Sequence, residues 1–239
     1  MSDESHVDQL IQKAESCLDK GDLPQARRLY SEICRVRYDD THAWLMHGAI
    51  SAELGNVEVA LNSLERAISL DPANAEAHLA LAHLHRTKGK PAEALASASR
   101  AVDADAQLAE GWLFVAAVSG RLGDWERAEE ASNKAIALVP ERTEGHVNLG
   151  NALLATGRAT EAETSFRKAL ALAEIAEASY GLGSALVAQG RHADAESALA
   201  DALRLDARNA DFRNALASCL ERLGRSDESA AVRTGSAPS

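Results

Sequence analysis

The first residues in this chain that could do chemistry are histidines. His78, His83 and His85 lie close together, with His42 and His47 upstream. Imidazoles carry protons and bind metals, but a metal needs several ligands converging on one point. His78 and His85 are seven residues apart, two turns of a helix, and so share a face, whereas His83 points to another. That spacing reads as a set of half-buried histidines and not as a ligand set. Cys17, Cys34 and Cys219 have no metal-type pairing. Cys17 and Cys34 fall on apolar helix positions, which predicts buried free thiols and no disulfide framework. Gly181-Leu182-Gly183 follows no strand and sits in a predicted helix, so it is not a nucleotide-binding fingerprint. No nucleophile and base stand in a recognisable local arrangement. No catalytic, cofactor-binding or metal-binding residue is assigned, and the chain is read as a non-enzyme.

Composition narrows the partner. The 239 residues carry 25 Lys and Arg against 36 Asp and Glu, a formal charge of −11. That balance argues against nucleic acid and anionic membrane surfaces and suits a basic partner. Hydrophobic residues make up 46% but aromatics only 4%, which fits helices packed through Ala and Leu. Met1–His6 is acidic and polar and lacks the basic and apolar regions of a secretory signal. No run approaches a membrane span, so no membrane insertion is expected. The expected location is cytoplasmic, and the Ala, Leu and Arg richness points to a bacterial source.

These residues are positioned by a repeat. Gly21, Gly55, Gly89, Gly123, Gly157, Gly190 and Gly224 are spaced by 34 residues, except for one interval of 33. A fixed period in this range means an array of one supersecondary unit. Aligned on the glycines, the repeats are 7–40, 41–74, 75–108, 109–142, 143–175, 176–209 and an incomplete, capping 210–233, after a polar lead at 1–6 and before a disordered tail at 234–239. With the first residue of each repeat as position 1, the glycine is position 15. Positions 8, 20 and 27 are small: Gly48, Ala60 and Ala67 in repeat two, for example. Positions 4, 8 and 11, like 20, 24 and 27, lie on one helical face. Small residues there let two helices approach closely. The glycine ends the first helix of each pair. Pro72 and Pro140 mark the end of a second helix, and Pro24 and Pro91 the start of one.

Trp44, Gly48, Gly55, Ala60, Leu64, Ala67 and Pro72 in repeat two resemble the tetratricopeptide repeat. So do His146, Leu149, Gly150, Gly157, Ala162, Phe166 and Ala169 in repeat five. The resemblance covers 7–232. It implies an all-α fold, a right-handed α-solenoid of antiparallel helix pairs. Trp44 and Trp112 at position 4 and Trp125 at position 17 are packing positions in that family, so the three tryptophans are read as core. Position 24 departs from the family pattern. Ala98 and Ser132 stand where Tyr30, Leu64, Phe166 and Leu199 stand elsewhere, which predicts loose packing in repeats three and four.

In this family, positions 2, 5, 9, 12 and 13 line a concave groove that binds peptides. By that resemblance the partner site is expected at Leu45, Ala49, Glu53, Leu79, His83, Arg86, Leu113, Ala117, Arg121, Val147, Asn148 and Asn151. The aliphatic stripe Leu45, Leu79, Leu113 and Val147 would form an apolar floor. Acids at position 2, such as Glu76 and Glu110, suit the positive end of the helix dipole. Glu15, Asp19 and Glu53 lack that explanation and would edge the groove. Family members that hold a C-terminal carboxylate use lysines missing here. Asn148 and Asn151 could still hydrogen-bond a peptide backbone.

The chain is thus expected to be a scaffold that binds a peptide or helix of a partner protein, with apolar anchors and basic residues. Alternatives are the substrate-recognition arm of a bacterial glycosyltransferase or sulfotransferase, or self-association through the end repeats.

Overall fold

The computed structural model describes residues 3–235, and among them there is no strand. The helices are α1 (Asp3–Asp19), α2 (Leu23–Val36), α3 (Thr41–Glu53), α4 (Val57–Leu70), α5 (Ala75–Thr87), α6 (Pro91–Ala104) and α7 (Ala109–Leu122). They continue as α8 (Trp125–Leu138), α9 (Thr143–Ala155), α10 (Ala159–Leu172), α11 (Ala176–Ala188), α12 (His192–Leu205), α13 (Ala210–Arg222) and α14 (Ser226–Thr234). The expected repeat starts at 41, 75, 109, 143, 176 and 210 each open a helix. α1 departs from the expected frame. It begins at Asp3, inside the stretch read as a polar lead. At the other end α14 runs to Thr234 and closes on Gly235, at φ +70°. The rest of the expected tail, 236–239, lies outside the described residues.

The helix breaks have one cause. All seven period-setting glycines adopt φ between +69° and +80°, where a Cβ would crowd the backbone at a cost of roughly 1–2 kcal/mol. The next residue's N–H then reaches back five residues, as in Asp22 N to Cys17 O at 2.8 Å and Arg158 N to Leu153 O at 2.8 Å. Those bonds satisfy carbonyls that the ending helix would leave open.

The chain forms two compact units, residues 1–111 and 112–239. No linker composition marks the division, which falls in the first turn of α7. The N-terminal unit has its core around Val7, Tyr30, Ile33, Leu64 and Leu84. The core of the C-terminal unit is built on Leu153, Phe166, Leu186, Leu199 and Leu220. Each large side chain so buried contributes about 1.5–3 kcal/mol.

Positions 8 and 24 share out the space between paired helices. A Cβ added at Gly48 would lie 2.8 Å from Leu64, one at Gly150 2.7 Å from Phe166, and one at Gly183 2.5 Å from Leu199. Gly181, on α11, is closer still to Phe166, so that ring is held between two glycines on different helices. Where position 24 is small, as at Ala98 and Ser132, position 8 is Ala82 or Ala116 in place of glycine. All four are at most 1% exposed. The looseness expected of repeats three and four is offset by this exchange of volume. Repeat one keeps Ala14 beside a large Tyr30, which is 2% exposed.

Candidate functional site

In each unit the candidate residues come from the first helix of a pair. In the N-terminal unit, Leu45 is only 5% exposed and packs with Leu64, Ala77 and Leu81. Ala49 and Leu79 are half-buried, and Glu53 is exposed. His83 is half-buried and accepts from Arg86 Nη2 through Nδ1 at 3.3 Å, so its proton sits on Nε2. Burial, and then the positive charge of Arg86, hold His83 below its ordinary range. In the C-terminal unit Leu113 is 7% exposed, with Cδ2 lying 3.6 Å from where a Cβ on Gly145 would stand. Val147 is half-buried. The aliphatic stripe is therefore not a uniform open floor. Leu45 and Leu113 are taken up in packing, and the accessible apolar surface is left to Leu79 and Val147.

Four of the expected residues meet around one cleft. Ala117 and Arg121 on α7 and Asn148 and Asn151 on α9 line a space of about 560 Å³. Ala116, Gly120, Leu154, Ala155 and Trp125 complete its wall. Trp125 differs from its reading as core. It is half-buried and faces this cleft, its ring 3.4 Å from where a Cβ on Gly120 would stand. Gly120 at position 12 keeps the indole face open. The amides of Asn148 and Asn151 have no hydrogen-bond partner among the described residues. The cleft thus combines an aromatic face, small residues that admit a main chain, two free amides and one cation.

The remaining histidines and tryptophans have a structural task that spacing did not reveal. Position 4 donates to the carbonyl of position 32 in the preceding repeat. Trp44 Nε1 reaches Tyr38 O at 3.0 Å, His78 Nε2 reaches Pro72 O at 3.0 Å, and His146 Nε2 reaches Pro140 O at 3.0 Å. Arg213 Nη2 does the same to Ala207 O at 2.7 Å. The signal in the sequence was the recurrence of N–H donors at position 4. Among the described residues no three His, Cys, Asp or Glu side chains come together as metal ligands. The three cysteines are free, and burial pushes the Cys34 thiol up to about 12.

A second periodic device orders the C-terminal unit. Arg158, Arg191 and Arg225 follow the turn glycines at position 16. Each forks between the acid three residues on and an acid of the preceding repeat. Arg158 holds Glu161 and Glu129, Arg191 holds Asp194 and Glu163, and Arg225 holds Glu228 and Glu196, at 2.5–2.8 Å. Hydrogen bonds from Arg158 and Arg225 hold the Glu161 and Glu228 carboxyls below their ordinary range. For Glu163 the largest cause is Gln189 Nε2, ahead of Arg167 and Arg191.

Helix pairs broken at left-handed glycines and packed through small residues define a tetratricopeptide-repeat protein, the fold of a protein-interaction scaffold. The family model described as "Cilia and flagella-associated protein 70 C-terminal domain" matches residues 3–237, and the chain belongs to that family. The human protein "General transcription factor 3C polypeptide 3" is 33% identical over 89 residues, covering 37% of this chain and 10% of that protein's length. A tetratricopeptide repeat protein of Parabacteroides merdae superposes with a TM-score of 0.71 at 18% identity, over 96% of this chain and 91% of that one. YrrB, described as "a TPR protein with an unusual peptide-binding site", superposes with a TM-score of 0.68 at 19% identity, over 75% and 93%. At such identities the structural likeness shows the fold alone. No described helix is long and apolar enough to cross a membrane.

Proposed function

We propose that the chain is a non-catalytic scaffold that holds an extended segment of a partner protein, and that the cleft of the C-terminal unit is its main contact. The observation that carries this reading is the meeting of Ala117, Arg121, Asn148 and Asn151 with Gly120 and Trp125 around one space of about 560 Å³. An extended peptide offers one N–H and one C=O per residue, and a primary amide can pair with both. Asn148 and Asn151 stand one turn apart on α9 and would engage successive peptide groups. Small side chains at 116, 117, 120 and 155 leave width for a backbone. The Trp125 face suits an apolar or aromatic anchor, and burial of such an anchor supplies most of the affinity. Arg121 favours an acid beside that anchor over the basic residues that the overall charge suggested. In the N-terminal unit, Ala49, Glu53, Leu79, His83 and Arg86 form the corresponding surface.

The test is peptide display against the full chain, followed by affinities of the selected peptides for two variants. Ala117→Trp fills the cleft, and the pair Asn148→Ala with Asn151→Ala removes the amides. Each should weaken binding by about tenfold or more, since the lost hydrogen bonds and anchor contacts are each worth about 1 kcal/mol or more. Folded variants with unchanged affinity would contradict the reading.

A further inference from the structure

The N-terminal unit holds a second cleft, of about 530 Å³, lined by α2, α3 and α4. Arg28, Ser31 and Arg35 form one stripe along α2, with spacings of three and four residues. Arg27 flanks that stripe, and His47 of α3 and Val59 of α4 complete the lining. Among the described residues none of these three guanidinium groups makes an ion pair or a hydrogen bond. This is unusual in a chain with 36 acids and 25 bases. Glu32 is the one acid in the lining, and it lies 3.8 Å from His6 Nε2. We propose that this cleft binds a phosphorylated side chain of a partner protein.

The donor set selects that ligand. A carboxylate has two oxygens and one charge, which a single guanidinium fork satisfies. Three guanidinium groups with a serine hydroxyl beside them exceed that capacity. They match a phosphoryl group, with three acceptor oxygens and close to two charges. His47 adds to the set. Ser63 Oγ donates to Val59 O at 2.7 Å, so it must accept from His47 Nδ1 at 2.9 Å. The ring's second nitrogen, Nε2, is then the one that remains for a ligand. Extended polyanions fit less well. A duplex or an anionic bilayer needs a broad basic face, and the chain carries −11 overall. The inference is independent of the groove reading, because no residue of this cleft lines the other.

The experiment titrates the full chain with the end-blocked peptide Ala-Ala-phosphoserine-Ala-Ala, its unphosphorylated twin, and a twin with Glu in place of phosphoserine. Binding is followed by calorimetry and by amide resonances. The phosphopeptide should bind and shift residues 27–35 and 47, while the unphosphorylated twin leaves them unmoved. The double variant Arg28→Ala with Arg35→Ala should weaken binding by about tenfold or more. Ser31→Glu, which adds a charge inside the cleft, should weaken it too, and Arg158→Ala should leave it unchanged. The Glu peptide should bind more weakly than the phosphopeptide. Absence of binding at millimolar peptide would overturn the proposal, as would equal affinity in both cleft variants. Tighter arginine-dependent binding of single-stranded RNA or phosphatidylserine vesicles would overturn it as well, by making the site a general polyanion surface.

Discussion

The two units use the same repeat and treat their arginines differently. In the C-terminal unit Arg142, Arg158, Arg167, Arg191, Arg204, Arg225 and Arg233 all meet acids. Three of them at position 16 tie each repeat to the one before it, through acids that are themselves only 12–30% exposed. In the N-terminal unit position 16 is Asp22, Asn56 and Lys90. Asp22 caps α2 by accepting from Gln25 N at 3.2 Å, and Lys90 pairs with Glu93 only within its own helix. Arg27, Arg28 and Arg35 gather around a cleft instead. One substitution in the repeat thus changes what a cation does. After the turn glycine it joins neighbours, and along the outer face of a second helix it is left for something outside the chain.

The comparison can be broken first at the core. Phe166→Ala should cost about 3–5 kcal/mol in chemical denaturation, because two glycines contoured around that ring cannot refill the space. Ala98→Gly in the N-terminal unit should cost only about 1 kcal/mol, mainly in helix propensity. Equal losses would mean that the glycine contour around Phe166 is no tighter than the alanine packing of α5 and α6.

Acid should separate the units next. His47, His83 and His85 of the N-terminal unit are lowered from 6.5, first by burial. A group with a depressed folded pKa leaves the unfolded state binding more protons as pH falls. Their contribution to stability is therefore whole above about pH 6.5 and erodes as pH drops toward their folded values. In the C-terminal unit Glu144, Glu161, Glu163 and Glu228 are lowered from 4.5 by hydrogen bonds from Arg and Gln side chains. Their contribution is whole above about 4.5 and is lost only below it. Hydrogen exchange between pH 7 and pH 5 should show the N-terminal unit weakening first. The reverse order would mean that the histidines are not desolvated in solution.

The smallest effects concern position 16. Asp22→Ala should cost about 1 kcal/mol by removing a cap. Arg191→Ala should lower stability by the small amount typical of exposed ion pairs, and the loss should shrink in high salt. A salt-insensitive loss would assign Arg191 a packing role.

Much of the fold was legible because the period is carried by residue types that cannot be exchanged freely. A glycine at φ near +75° and an alanine between two helices leave their mark at every turn of the array. The bond from position 4 to position 32 was harder to read, because its acceptor is a backbone carbonyl and has no sequence. The arginine forks were legible in principle from position 16, position 19 and the preceding position 21, but only once the helices are known to lie side by side. The candidate site was partly legible. Ala117, Arg121, Asn148 and Asn151 follow from helical phase, whereas the burial of Leu45 and Leu113 is set by neighbouring helices. Trp125 was read as core because position 17 usually is. Gly120, three-quarters of a helix pair away in phase but adjacent in space, is what opens its face.

The most direct test of the scaffold reading is the indole N–H resonance of Trp125 during titration of the full chain with a displayed peptide. The account predicts that this signal and the side-chain amides of Asn148 and Asn151 move together and saturate at one affinity, while the resonances of residues 27–35 stay in place. Saturable binding that leaves all three signals unmoved would place the partner elsewhere and contradict the account.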